Sequence, residues 1–155
     1  MWRILLLVVA CECFASLPSV FAEQPGTVQF LNSGKVPSPN LPYSEAVRVD
    51  NMLYLSGQIG IAPGTRKLVP GGLKEEARQT MENIKRSLEA QGYMMRDLVK
   101  CTVMLADLSE WAAFNEVYNT FFSGQYPARS AFGVNGLVLG ARVEVECIAV
   151  VSHLG

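Results

Sequence analysis

The residue pattern predicts an α+β domain in which two amphipathic helices cover one face of a single mixed β-sheet. Three observations carry that expectation. Short runs alternate apolar and polar residues, as half-buried strands do. Two longer runs switch to helical spacing. Each of these has one apolar stripe only, so both must lie on the same sheet face rather than be enclosed.

Taken in chain order, residues 23–41 are rich in Pro, Gly, Ser and Asn and read as an extended arm. Ala46–Val49 and Met52–Leu55 flank Asp50-Asn51, a pair suited to a tight turn, which is a hairpin signal. Pro63-Gly64 and Pro70-Gly71-Gly72 punctuate the following loop. Between Leu73 and Gln91, residues Ala77, Met81, Ile84 and Leu88 recur at helical spacing, and Gly92 stands where a left-handed cap is wanted. Val99, Cys101, Val103 and Leu105 alternate with Lys100, Thr102 and Met104, giving the next strand.

Asp107 and Glu110 have the spacing of a capping box for a second helix, whose stripe is Trp111, Phe114, Tyr118 and Phe121/Phe122. Ser130–Val134 reads as a short strand and Arg142–Ser152 as a long one. The uncovered sheet face then carries Thr102, Glu144 and Ile148. A face left without a helix suggests burial against another subunit.

Length and composition bound the functions available. A chain of 155 residues, 50% apolar and 17% charged, is enough for one packed domain. The formal net charge of −1 gives no electrostatic reason to expect a nucleic acid or an anionic membrane surface as partner. Arg3, the apolar run Ile4–Ala10 and the small residues around Val20-Phe21-Ala22 form the three-part layout of a secretory signal over residues 1–22. Export to a periplasm or to the exterior is therefore expected, with no stable membrane association after cleavage. A mitochondrial presequence, or lipidation at Cys11, is the alternative.

Cys11 and Cys13 would leave with that signal. Cys101 and Cys147 would stay, each in an apolar alternating run, and they read as two small buried thiols more readily than as a disulfide. No cysteine–histidine cluster suggests a structural metal.

The familiar catalytic signatures are mostly absent. There is no Walker loop, no GxGxxG and no GxSxG elbow, and the sole histidine, His153, lies two residues from the end. What remains is arginine and glutamate chemistry. Arg129 follows Pro127 at the entrance to a strand, between small neighbours. Glu144 and Glu146 share one face of an apolar strand, where a carboxylate needs a partner. The residues alone leave these readings open: a structural Arg129–Glu144 ion pair, a Glu146 that simply faces water, or a working site.

Ordered pieces along nearly the whole of the chain after the signal bear on that choice. They are Pro42-Tyr43-Ser44, Leu55-Ser56-Gly57-Gln58-Ile59, Val99-Lys100-Cys101-Thr102-Val103, Asn115-Glu116-Val117-Tyr118, Pro127-Ala128-Arg129-Ser130 and Val143-Glu144-Val145-Glu146-Cys147. In this order and spacing the chain resembles the RidA/YjgF family of reactive-intermediate deaminases, with residues 42–155 as the matching domain. The resemblance implies a chorismate-mutase-like fold, a homotrimer with active sites between subunits, and no metal or organic cofactor.

It also implies hydrolysis of small 2-imino acids, formed from enamines such as 2-aminoacrylate, to 2-keto acids and ammonia. The family's carboxylate-binding arginine maps onto Arg129 and its water-orienting glutamate onto Glu144. Tyr43, Ser56, Gly57, Gln58 and Asn115 match other positions lining the site. Ala131 stands where the family often has a cysteine that makes its contact through the backbone. Gly133, Asn135 and Val138 also depart from the usual pattern, which places the open question of substrate preference in the loop after Arg129. Two other functions stay in view: a non-catalytic trimer that binds small carboxylates or acts as a chaperone, and an endoribonuclease.

Overall fold

The computed structural model describes residues 26–33 and 42–151. The signal-like segment at 1–22, the remainder of the arm at 34–41, Ser152 and His153 lie outside the described residues. Among the described residues nine regular elements form, in the order β1 (Val28–Leu31), β2 (Ala46–Val49), β3 (Met52–Leu55), β4 (Gln58–Ile59), α1 (Leu73–Ala90), β5 (Leu98–Leu105), α2 (Trp111–Tyr118), β6 (Ala128–Gly133) and β7 (Val143–Val150). The strands make one sheet in the spatial order β1-β2-β3-β7-β5-β6, with β4 also pairing β7. Only β5 and β6 run parallel, because α2 supplies the crossover between them.

Alternation fixes which side chains enter the core. Leu53, Leu55, Cys101, Val103, Leu105, Val143, Val145, Cys147 and Ala149 are buried on one face. Ala77, Met81, Ile84 and Leu88 of α1 close over them, joined by Phe114, Val117 and Tyr118 of α2. The predicted α1 stripe is therefore the observed one; in α2 Phe114 and Tyr118 are buried as expected together with Val117, but Trp111 at its start is exposed, and Phe121 and Phe122 pack partly buried beyond its end. Helix α1 ends in a Schellman motif: Gly92 takes φ 82°, its N–H donates to Glu89 O at 3.2 Å, and Tyr93 N–H donates to Leu88 O at 2.9 Å.

The predicted hairpin is present, with Ala46 opposite Leu55 and Val49 opposite Met52. The arm adds a strand that its composition hid. Strand β1 pairs with β2, and the buried Glu45 ties it down by accepting from Ser33 N at 2.8 Å, Ser33 Oγ at 2.6 Å and Ser87 Oγ at 2.7 Å.

Other expectations need correction. The β5–β7 register shifts between Leu98 and Lys100, so Leu98 rather than Val99 enters the core and Val99 is exposed. Asp107 does cap, accepting Ser109 N–H at 2.9 Å on a single turn ahead of α2. Glu110, however, turns to Arg142, a guanidinium it meets with both oxygens, instead of closing the capping box.

The two buried cysteines are not separate thiols. Cys101 and Cys147 face each other in the β5–β7 register and are joined by a disulfide, with Cα atoms 4.1 Å apart. Strand alternation could show that both thiols point inward; only the register could place them opposite one another.

The second sheet face is left open. It presents Val28, Phe30 and Tyr54 to solvent, with Thr102, Met104, Glu144 and Ile148 half-buried beside them. Among the described residues no helix is long and apolar enough to cross a membrane.

Candidate active site

The sheet separates the sequence-predicted site residues into two groups. Arg129 pairs with Cys101 in the β5–β6 register, and Cys101 pairs with Cys147, so all three share the covered face. Ala131 lies opposite Val103 on that face as well. Glu144 pairs with Met104, an odd number of residues from Cys101, and so belongs to the open face. Arg129 and Glu144 of one chain therefore point to opposite sides of the sheet. The reading of a structural ion pair between them is wrong.

The covered-face group is built by β6 and α2. The Arg129 guanidinium carbon sits 4.6 Å from the centroid of the Tyr118 ring, 5.8 Å from Phe114 and 6.0 Å from Trp111. None of the ion pairs or side-chain hydrogen bonds among the described residues involves Arg129. Its in-plane N–H groups are thus available to a ligand. Asn115 lies on the same helix, between Phe114 and Tyr118 in sequence, with its Oδ1 buried and lacking a hydrogen-bond partner. The Tyr118 hydroxyl is likewise buried without a partner, and burial pushes its pKa up to about 12 against the opposing pull of the Arg129 charge.

The open-face group is built by the β3–β4 turn and β7. Gly57 lies so close to Glu144 that a Cβ on it would come within 2.0 Å of Glu144 Oε1, hence only glycine admits the carboxylate at that place. Ser56 donates its hydroxyl to Ser44 O at 2.7 Å, and Tyr43, the next residue back along the chain, is exposed. Burial raises the Glu144 pKa, and the neighbouring charge of Glu146 raises it further. Gln58 is different. It pairs with Val145, its side chain is buried on the covered face, and its Nε2 donates to Ser56 O at 3.3 Å, so it shapes the turn from beneath.

Sequence reasoning placed Trp111, Phe114 and Tyr118 in the core stripe of α2 and missed that they also surround Arg129. The signal was there in part. An arginine entering a strand beside a helix rich in aromatic residues is a ready cation–π arrangement, but the crossover geometry was needed to see it. Among the described residues no group of His, Cys, Asp and Glu is arranged to hold a metal ion.

Two helices over one face of a mixed sheet, with the Arg129 guanidinium on the covered side and the Glu144 carboxylate on the open side, define the class: a small α+β protein with a single helix-covered sheet. The chain belongs to the Endoribonuclease L-PSP family, whose model matches residues 33–151, and its relatives include RidA proteins. It is 46% identical over 120 residues to the mouse 2-iminobutanoate/2-iminopropanoate deaminase, a match covering 77% of this chain and 89% of that one.

Among solved structures, RidA from the Antarctic bacterium Psychrobacter sp. PAMC 21119 is similar at 43% identity and a TM-score of 0.75, over 79% of this chain and 99% of the other. E. coli TdcF, solved with bound serine, is similar at 35% identity and a TM-score of 0.74, over 80% and 99%. The α+β fold expected from the residue pattern is that of these proteins.

Proposed function

We propose that this chain is an enzyme that hydrolyses small 2-imino acids to 2-keto acids and ammonia. The observation that carries the reading is the Arg129 guanidinium, which has no carboxylate partner of its own among the described residues. A free fork of this kind binds a substrate carboxylate through two parallel hydrogen bonds and fixes the neighbouring C2 in place. The names of the curated relatives and the serine bound to TdcF support a small amino-acid-like ligand.

In the proposed reaction Glu144 accepts a proton from water as the oxygen bonds to the imine carbon. The same carboxyl group returns that proton to nitrogen, giving a carbinolamine, and then takes the new hydroxyl proton and passes it to nitrogen, so that the C–N bond breaks and ammonia leaves as the keto group forms. A raised pKa suits a group that must both take and give a proton. Asn115 Oδ1, an acceptor without a partner, is suited to receive an N–H of the substrate. Tyr43, Ser56, Gly57 and Ala131 line the site, Gly57 and Ala131 by leaving room beside Glu144 and Arg129.

Because Arg129 and Glu144 occupy opposite sheet faces, this chemistry needs the Glu144 side of one copy to meet the Arg129 side of another. A cyclic homotrimer supplies that arrangement by a heterologous contact. It would also cover the apolar open face, on which Phe30 is 73% exposed in the single chain. We further propose that the protein is exported after cleavage near Ala22. The Cys101–Cys147 disulfide supports an oxidising compartment.

The test generates 2-aminoacrylate in situ with a serine dehydratase and follows pyruvate formation. The wild-type chain should accelerate release. Arg129→Ala, which removes two hydrogen bonds to a charged group worth roughly 1.5–3 kcal/mol each, should lower kcat/KM by roughly 10²–10⁴-fold. No acceleration by the wild type would end the deaminase reading.

A further inference from the structure

An arginine that binds a substrate carboxylate is often steadied by a carboxylate of the protein. Such a partner occupies the same in-plane N–H groups that the substrate needs. Arg129 is arranged otherwise. Three aromatic rings of or beside α2 contact its guanidinium, Tyr118 nearest at 4.6 Å, with Phe114 and Trp111 further out. A ring that meets a cation through its π face attracts it without consuming its hydrogen bonds.

We infer that Tyr118, flanked by Phe114 and Trp111, is the positioning residue of this site: its ring is the platform that holds the Arg129 guanidinium while leaving its donors free for the carboxylate. The inference rests on the reading of Arg129 as the carboxylate-binding group.

Two features make the Tyr118 ring fit for this. It is held in place by its neighbours, with ring centroids 5.5 Å from Phe114 and 4.8 Å from Phe122, and Phe122 in turn lies 5.6 Å from Tyr126. A platform locked by packing orients what rests on it. The hydroxyl is also neutral over the working range, since burial pushes its pKa up to about 12. No phenolate forms to compete for Arg129. The hydroxyl has no hydrogen-bond partner, which leaves the ring as the part in contact with the cation.

The experiment separates ring from hydroxyl. Binding of 2-oxobutanoate, a 2-keto acid, is titrated calorimetrically to wild type, Tyr118→Phe, Tyr118→Leu and Trp111→Leu. KM and kcat are measured on in situ generated 2-iminopropanoate. Tyr118→Leu should weaken binding and raise KM about 3- to 30-fold with kcat within about twofold, the range a partly buried cation–π contact spans. Tyr118→Phe should restore binding to within about twofold of wild type. Trp111→Leu, at a half-exposed ring, should weaken binding by a smaller factor, and it decides the matter if Tyr118→Leu does not fold.

Unchanged binding in both leucine variants overturns the inference. So does a loss in Tyr118→Phe equal to that in Tyr118→Leu, since the hydroxyl would then be the working group. The binding arm does not depend on turnover. A wild type that binds 2-oxobutanoate through Arg129 and Tyr118 yet hydrolyses no imine leaves the platform standing while the deaminase reading falls. Turnover with binding insensitive to Tyr118 does the reverse.

Discussion

At the scale of single residues, the two sides of the site differ in how the chain manages charge. Arg129 lies against aromatic rings, whereas the Glu144 pKa is raised by burial first and by the Glu146 charge second. A carboxyl group whose pKa is raised stays protonated to a higher pH than an ordinary one. It can take a proton from water only above that value. The acid limb of the pH profile of kcat/KM should therefore lie above the usual carboxylate range. Glu146→Gln removes the second cause of the shift, so the limb should move toward lower pH while remaining raised by burial; a profile unmoved by this substitution would argue that another group controls the limb. Gly57 makes a different prediction. A methyl group there meets Glu144 at a distance no side chain sustains, so Gly57→Ala must displace the carboxylate. It should cut kcat by about 10-fold or more, the scale on which misplacement of a reacting group acts, with little change in thermal midpoint.

At the scale of elements, the disulfide is the feature that most changes expectations. It links the two longest strands, β5 and β7, at a sequence separation of 46. A cross-link of that span restricts the unfolded ensemble and stabilises the folded chain by about 2–4 kcal/mol. Cys101→Ser with Cys147→Ala should lower unfolding free energy by that amount in chemical denaturation, and reductant should shift the wild-type chain in the same direction. Equal stability of the two forms would mean that the bond closes a gap already held by packing. The bond also lies in the sheet row of Arg129, with Cys101 directly opposite it. Helix α2 then matters twice, as core stripe and as ring platform. The single turn capped by Asp107 sets where Trp111 begins the helix and hence which rings reach β6.

At the scale of the whole molecule, the opposite-face placement of Arg129 and Glu144 makes a prediction that a self-contained site would not. An Arg129→Ala chain and a Glu144→Gln chain should each be inactive alone. Mixed, unfolded and refolded together, they should regain activity, because some interfaces then combine an intact arginine from one chain with an intact glutamate from its neighbour. Random assembly of a cyclic oligomer restores about a quarter of the sites. No recovery would place both groups of a working site in one chain, against the register. The apolar open face bears on the same point: Phe30→Asp should weaken assembly in sedimentation and lower activity with it, since it puts a charge on the face that the proposed assembly covers.

Much of this protein was legible in its sequence. The period of Leu73–Ala90, the positions of Phe114 and Tyr118 in α2 and the alternation of Cys101–Leu105 in β5 and of β7 are local properties of the chain, and burial follows from them there, though not at Trp111 or Val99. The ordered motifs around Gly57, Arg129 and Glu144 were likewise readable, because residue type and spacing do not depend on the fold. Four matters were decided only in three dimensions. They are the strand hidden in the arm, the shift that exposes Val99, the pairing of Cys101 with Cys147, and the separation of Arg129 from Glu144 by the sheet. Each depends on the register between strands far apart in the chain. Alternation tells which residues share a face within one strand; only pairing tells which face of one strand continues into the next.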